Sequence, residues 1–224
     1  MDWNLSLHGL ISQQHRNFIP VFEKFFAQVK PVNVVEIGTG QGGASLALNN
    51  ILKGLKYQYS YTTYDVINLG QYQQLRDDGI NVRCCNLFSD NYTSIRESNY
   101  DEIKNAIQSS GTTVLMCDGG NKINEVNLLA DLLKPGDFIM AHDYSESKEY
   151  FEKYITPNEW LWCEITFADI KEALDRNRCV PYMQDEFQSV VWMCRRKPLW
   201  KEVLCLAMAE HDLTWDLMKL GHMD

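Results

Sequence analysis

Residues Val34–Leu48 read VVEIGTGQGGASLAL: an apolar run, four glycines within six positions, and then a helix-like run. That succession is a strand, a tight turn and a helix, with a backbone that something approaches closely at the turn. Gly38, Gly40 and Gly43 match G-x-G-x-x-G literally, the pattern that seats a pyrophosphate on a helix N-terminus. Glu36, two residues before the first glycine, argues against a pyrophosphate because like charges repel. Asp65 closes the next strand-like segment, where a carboxylate can accept both hydroxyls of a ribose. A ligand with a ribose, a cationic or amine-bearing part and no phosphate fits both acids. S-adenosylmethionine has those parts, and NAD fits Glu36 less well.

Outward from this stretch, strand-length and helix-length segments alternate. The spacing predicts a helix over 11–29 stopped by Pro31, a strand over 32–37 and a helix over 42–52. Strands follow at 57–64, 80–85, 112–117, 137–141, 160–166 and 187–195. Helices follow at 69–78, 99–108, 121–133, 147–154, 168–176 and 199–220. Such alternation implies an α/β fold, a doubly wound and mostly parallel sheet with helices on both faces. TTVLMCD and DFIMAHD are nearly unbroken apolar runs, as doubly buried parallel strands are. No repeat or linker divides the 224 residues, so a single domain is expected. Residues 1–30 form an N-terminal helical extension, and 167–186 an insertion between the last two strands. The charges of that insertion read as a solvated helix and loop, or as a lid that selects an acceptor.

The formal charge of −9 and the absence of a basic block argue against nucleic acid and anionic membranes as partners. No apolar run approaches a membrane span, and the N-terminus lacks a secretory pattern. Seven scattered cysteines without C-x-x-C read as buried thiols in a reducing compartment, so a cytoplasmic location is expected. The tryptophans read as core or interface residues. The apolar final helix is expected to pack on the sheet or to form a homo-oligomer contact.

Ligands of doubly wound sheets bind at the carboxyl ends of the strands. Glu36, Asp65, Asn86, Asp90, Asp118, His142 and Asp143 all fall there. VVEIGTGQGG resembles the E-x-G-x-G-x-G motif of class I S-adenosylmethionine-dependent methyltransferases. VLMCDGGNKINEVNLLADLLKPGDFIMAHDY is similar to the D-G-x-H…L-K-P-G-G…H-D-Y pattern of the small-molecule and sugar O-methyltransferases, the group of the macrocin methyltransferases and cephalosporin hydroxylase-like proteins. The resemblance covers about Ile11 to Tyr144. It implies a Rossmann-like sheet of seven strands, the last antiparallel. It implies that Gly38, Gly40 and Gly42, with Thr39, admit the methionine part of the cofactor and that Glu36 supports their loop. Asp65, followed by Val66, would hold the ribose, and Asn86 and Leu87 would lie near the adenine, where many relatives carry an acid. Gln13 and Gln14 would close over the cofactor, and Asp118 would border it.

Asp118 and Asp143 end adjacent strands, and two converging carboxylates suit Mg²⁺. Metal-dependent relatives place one acid after the fourth strand and two after the fifth. His142 replaces one of these, which suits Mn²⁺ or Fe²⁺ better. His142 is also the candidate base for a hydroxyl proton. Relatives carry histidine where this chain has Asn121, and the adjacent Lys122 can act as a base only with a strongly depressed pKa. The expected activity is methyl transfer from S-adenosylmethionine to a hydroxyl on a small acceptor, with a metal helping. Two alternatives stand beside it: a protein that binds the cofactor without transfer, and an NAD-dependent oxidoreductase. The sequence has no N/D-P-P-Y/F motif for methylating bases.

Overall fold

The computed structural model describes residues 4–155, 160–200 and 202. The chain opens with an antiparallel hairpin, β1 (Asn4–Leu7) and β2 (Leu10–Gln13), turned at His8 and Gly9, both at positive φ. The sequence predicts a helix from Ile11, but Ile11 pairs with Ser6 and Gln13 with Asn4. Leu10 and Ser12 face inward while Ile11 and Gln13 face out, a period of two that so short a stretch does not separate from a helical one. The helix α1 (Phe18–Val29) begins later. It buries Phe18, Phe22, Phe25 and Phe26 and ends at Lys30 in the left-handed conformation, just before Pro31.

Strand and helix then alternate: β3 (Asn33–Ile37), α2 (Gly43–Gly54), β4 (Ser60–Asp65), α3 (Tyr72–Asp77), β5 (Asn81–Cys84), α4 (Glu97–Gln108), β6 (Thr113–Cys117), α5 (Lys122–Leu129) and β7 (Phe138–His142). β3 lies at the centre, parallel to β4 on one side and β6 on the other, with β5 and β7 outside them. The sheet grows one way to β5 and then the other way from β6. The carboxyl ends of β3 and β6 therefore flank the topological switch point.

Beyond β7 the chain departs from the predicted pattern. β8 (Tyr144–Ser145) pairs with β9 (Ile165–Thr166) in a separate two-stranded sheet. Between them lie α6 (Lys148–Tyr150) and a π-helical turn at Phe151–Ile155. The predicted strand 160–166 does not enter the main sheet, because the edge of β7 is taken by β11 (Trp192–Arg196), antiparallel to it. Trp160 packs instead with Phe151, Ile155 and Val191 in a small satellite core. α7 (Phe167–Arg176) follows, then the two-residue β10 (Val180–Pro181), which pairs with β11, and α8 (Gln184–Gln188). The main sheet runs β10-β11-β7-β6-β3-β4-β5, so it has seven strands with an antiparallel last one. The seventh strand comes from inside the segment read as an insertion. The predicted strand 187–195 is shortened by α8 and starts at Trp192. Most of the predicted final helix, and one cysteine, lie outside the described residues.

Successive residues of the central strands serve opposite faces. Val34, Val114, Met116 and Met140 join the core under α1 and α2, while Val35, Leu115, Cys117 and Ile139 join the core under α4, α5 and α7. The six described cysteines are free thiols. Cys117 and Cys194 are buried as expected, whereas Cys84 is exposed. Among the described residues no helix is long and apolar enough to cross a membrane.

Candidate active site

The glycine loop leaves the end of β3 at the switch point, and its glycines do different work. The Gly38 N–H donates to the Tyr64 carbonyl at 2.8 Å, and the Asp118 N–H to the Ile37 carbonyl at 2.9 Å, which extends the parallel pairing past the strands. A Cβ on Gly38 would sit 2.2 Å from the Asp118 carbonyl oxygen, so this glycine lets two backbones meet. A Cβ on Gly43 would lie 2.5 Å from the Ile11 carbonyl oxygen, so that glycine seats β2 against the start of α2. Gly42 packs near the side chains of Leu75 and Leu10. At Gly40 a Cβ would meet nothing within 4 Å; it alone of the four faces open space, at a φ of +54°.

Glu36 lies behind this loop. It is buried, accepts a hydrogen bond from the Ser45 hydroxyl at 2.6 Å, and lines neither of the cavities described below. It ties the strand end to α2 and supports the loop from behind, away from both cavities. Burial pushes its carboxyl up to about 7, and the Ser45 hydroxyl offsets this only in part. Asp65, at the end of β4, accepts from the Gly40 N–H at 2.9 Å and from the Ile67 N–H at 3.0 Å. Thr39 is fixed by a 2.8 Å hydroxyl contact with Thr63, and the Tyr72 hydroxyl donates to the Gly40 carbonyl at 2.8 Å.

Two cavities meet along this loop. The smaller, about 270 Å³, is lined by Val66, Asn86, Leu87, Phe88 and Tyr92. The larger, about 600 Å³, runs from the loop past Gln13 and Gln14 to Asp118, His142, Asp143 and Trp160. Gly38, Gly40, Asp65, Asp118, Gly119 and Gly120 border both. Together they form the kind of concave, partly polar site that small molecules use. In the smaller cavity Phe88 and Tyr92 stack with centroids 5.5 Å apart, and the Asn86 side chain accepts from the Phe88 N–H at 3.2 Å. Glu125 accepts from the N–H groups of Gly119 and Asn121, both at 3.1 Å, and so shapes the turn after β6; burial pushes its carboxyl up to about 7. Among the described residues it is Trp160, Trp162 and Glu164 that close on the larger cavity, and no residue of 167–186 does.

At the inner wall Asp118, His142 and Asp143 converge, each with a ligand-type atom within 4.8 Å of the others. His142 Nδ1 lies 3.0 Å from Asp118 Oδ1. Gln14, buried on the segment after β2, donates its amide to Asp118 Oδ2 at 2.8 Å and accepts from Trp192 Nε1 at 2.8 Å. The His142 ring stacks on Trp192 at 4.9 Å and meets Trp160 edge-on at 5.3 Å. Burial alone would lower the pKa of His142, but the charges of Asp118 and Asp143 more than reverse this and raise it above its usual value. Asp143 sits at a φ of +54°, a strained conformation of the kind found at functional sites, and Trp160 Nε1 donates to its Oδ1 at 2.7 Å.

Lys122 is not the depressed amine that a base would require. Its Nζ lies 2.7 Å from Glu164 Oε2 and 3.0 Å from Asp143 Oδ2. Burial would lower its pKa, but Asp118, Asp143 and Glu164 outweigh that and raise it, so it stays an ammonium. Asn121 caps α5 by accepting from the Asn124 N–H. Gln14, expected to close over the cofactor, instead braces Asp118, and Glu125 lies within the quoted VLMCDGGNKINEV stretch without being singled out there. Trp160, Trp192 and Glu164 complete the site with weak sequence signals, since each lies outside any motif.

No protein-family model and no curated protein matches the chain. Solved structures do. The apo structure of the N160 form of CmcI has a TM-score of 0.56 at 12% identity, over 87% of this chain and 76% of that one. The D160 form of CmcI with Mg and SAM gives 0.55 at 14% identity, over 86% and 76%. The CMeT domain of the citrinin polyketide synthase gives 0.51 at 13% identity, over 81% and 52%. At such identities the likeness is one of fold alone, the Rossmann-like methyltransferase fold.

Proposed function

We propose that the chain binds S-adenosylmethionine across the two joined cavities and moves its methyl group to a hydroxyl of a small acceptor. The observation that carries this reading is the position of Asp65: its carboxylate lies where the cavities meet, on the loop whose Gly40 faces open space. The residues fit the cofactor. The smaller cavity, with Leu87, Phe88 and Tyr92, suits a flat base. Asp65 suits the two ribose hydroxyls. The passage beside Gly38, Gly40 and Gly120 suits the narrow methionine part.

When bound, the cofactor supplies a methyl group on a sulfonium, ready for in-line transfer to a nucleophile. The chain's own residues prepare that nucleophile. Asp118 only accepts, so the proton on the His142 ring is assigned to Nδ1, which points at it. Nε2 then holds the lone pair, buried and without a hydrogen-bond partner among the described residues. His142 lines the larger cavity, so that nitrogen is the candidate base for the hydroxyl proton of an acceptor, which reaches it only by displacing part of its cover. Gln14, held by Trp192, fixes the far oxygen of Asp118.

Calorimetric titration with S-adenosylhomocysteine, with NADH as control, tests the cofactor. Micromolar binding of the nucleoside and no binding of NADH is the expected result. Binding of NADH alone would return the glycine loop to a dinucleotide. Transfer of labelled methyl to a panel of hydroxylated small molecules then tests the reaction.

A further inference from the structure

The acid–histidine cluster contains its own cation. Lys122 is the first residue of α5, where a positive charge opposes the helix dipole, and yet it is 6% exposed. Its ammonium has three protons to donate, and three oxygens surround it: Glu164 Oε2 at 2.7 Å, Asp143 Oδ2 at 3.0 Å and the Gly119 carbonyl at 3.2 Å. Asp118 Oδ1 follows at 3.8 Å.

Every carboxylate oxygen that could serve a metal already has a donor. Asp118 Oδ1 faces His142 Nδ1 at 3.0 Å, and Asp118 Oδ2 takes the Gln14 amide at 2.8 Å. Asp143 Oδ1 takes the indole N–H of Trp160 at 2.7 Å, and Asp143 Oδ2 takes the Lys122 ammonium. A divalent ion among these groups would have to break several of those bonds and lie against a buried ammonium of like sign. The three donors that the fold places together therefore do not fit a metal as they stand. We infer that the ammonium of Lys122 occupies the cation position of this cluster, so that Asp118, His142 and Asp143 form a site that takes no divalent metal.

Lys122 also lines the larger cavity, so the ammonium lies at the wall that an acceptor would approach. The inference bears on the cation alone. It leans on the cofactor reading only for the direction from which the acceptor comes.

The test is a titration of the intact protein with Mn²⁺, followed by the paramagnetic signal of the free ion, without cofactor or acceptor. The unaltered protein is expected to leave the ion free into the millimolar range. Lys122→Met, which keeps the length of the side chain and removes its charge, is expected to bind roughly tenfold or more tightly, and Asp143→Asn in that background to abolish the gain. Micromolar binding by the unaltered protein, weakened by Asp118→Asn, would overturn the inference, as would a folded Lys122→Met that binds no better. Should Lys122→Met fail to fold, the unaltered protein decides by itself. None of these results depends on homocysteine-nucleoside binding, so the cofactor reading stands or falls separately.

Discussion

His142 Nδ1 and Asp118 Oδ1 lie 3.0 Å apart at the carboxyl ends of two neighbouring parallel strands, and Asp118 also receives the Gln14 amide. The carboxylate fixes the imidazole and helps raise its pKa. A base must be unprotonated to act, so the acid limb of the pH–rate profile should lie above the usual histidine value. Asp118→Asn removes one of the two charges that raise it, and the limb should move toward lower pH. His142→Gln should reduce methyl transfer by about 10²–10⁴-fold, the usual worth of a general base, with homocysteine-nucleoside affinity unchanged. The pH profiles of transfer and the calorimetric affinities of both variants check this. An unmoved limb in Asp118→Asn would assign the titration to another group.

The glycines allow a contrast between folding and binding. Gly38→Ala drives a Cβ to 2.2 Å from the Asp118 carbonyl, against backbone on both sides, at a φ of +94°. It should lower the melting temperature strongly, by an amount corresponding to several kcal/mol. Gly40→Val meets no protein atom within 4 Å at its Cβ, so its cost to the fold is the strain of a left-handed β-branched residue alone. It should nevertheless abolish nucleoside binding by filling the passage. Thermal melts and calorimetry on the two variants separate the effects, and a Gly40→Val protein with unchanged affinity would remove the loop from the binding site.

Asp65 accepts two backbone N–H groups, so its loss touches the loop and, on the proposed reading, the ribose as well. Asp65→Asn keeps one accepting oxygen and loses the charge. Its affinity for S-adenosylhomocysteine should fall by about 1.5–3 kcal/mol, the range for hydrogen bonds to a charged group. Calorimetry reads the loss directly; an affinity equal to that of the unaltered protein would move the ribose elsewhere.

The half of the molecule up to β7 was legible because strand burial and turn glycines are local signals. Val34/Val35 and Met116/Cys117 each serve two faces of the sheet, which leaves unbroken apolar runs in the sequence. The predicted helix from Ile11 failed because four residues alternate as readily as they spiral. The strand predicted at 160–166 failed for a non-local reason: its place beside β7 is filled by Trp192–Arg196. The site divides in the same way. Asp65, Asp118, His142 and Asp143 were visible as polar residues ending strands. The part played by Gln14 depends on Trp192, 178 residues away, and the part played by Lys122 on Glu164, 42 residues away. The tryptophans predicted as core are partly that, since Trp192 packs on Phe22, but Trp160 and Trp192 also flank His142.

Glu36 and Glu125 give the fold a pH dependence of predictable sign. Burial raises each from an ordinary 4.5 to about 7, so across that interval the folded chain holds protons that the unfolded chain has released. Their contribution is fully present below the unfolded value and is lost as the pH rises through the folded one. Ionising either group in place would cost roughly 3 kcal/mol, from the size of the shift. The melting temperature should therefore fall between pH 5 and 8 on this account, opposite to the usual effect of paired carboxylates. Glu36→Gln keeps an oxygen to accept from Ser45 and cannot ionise. It should flatten part of that fall and raise the melting temperature at pH 8 relative to the unaltered chain. A slope identical to that of the unaltered protein would mean that Glu36 is ionised in its pocket throughout, with the Ser45 hydroxyl sufficient to hold the charge.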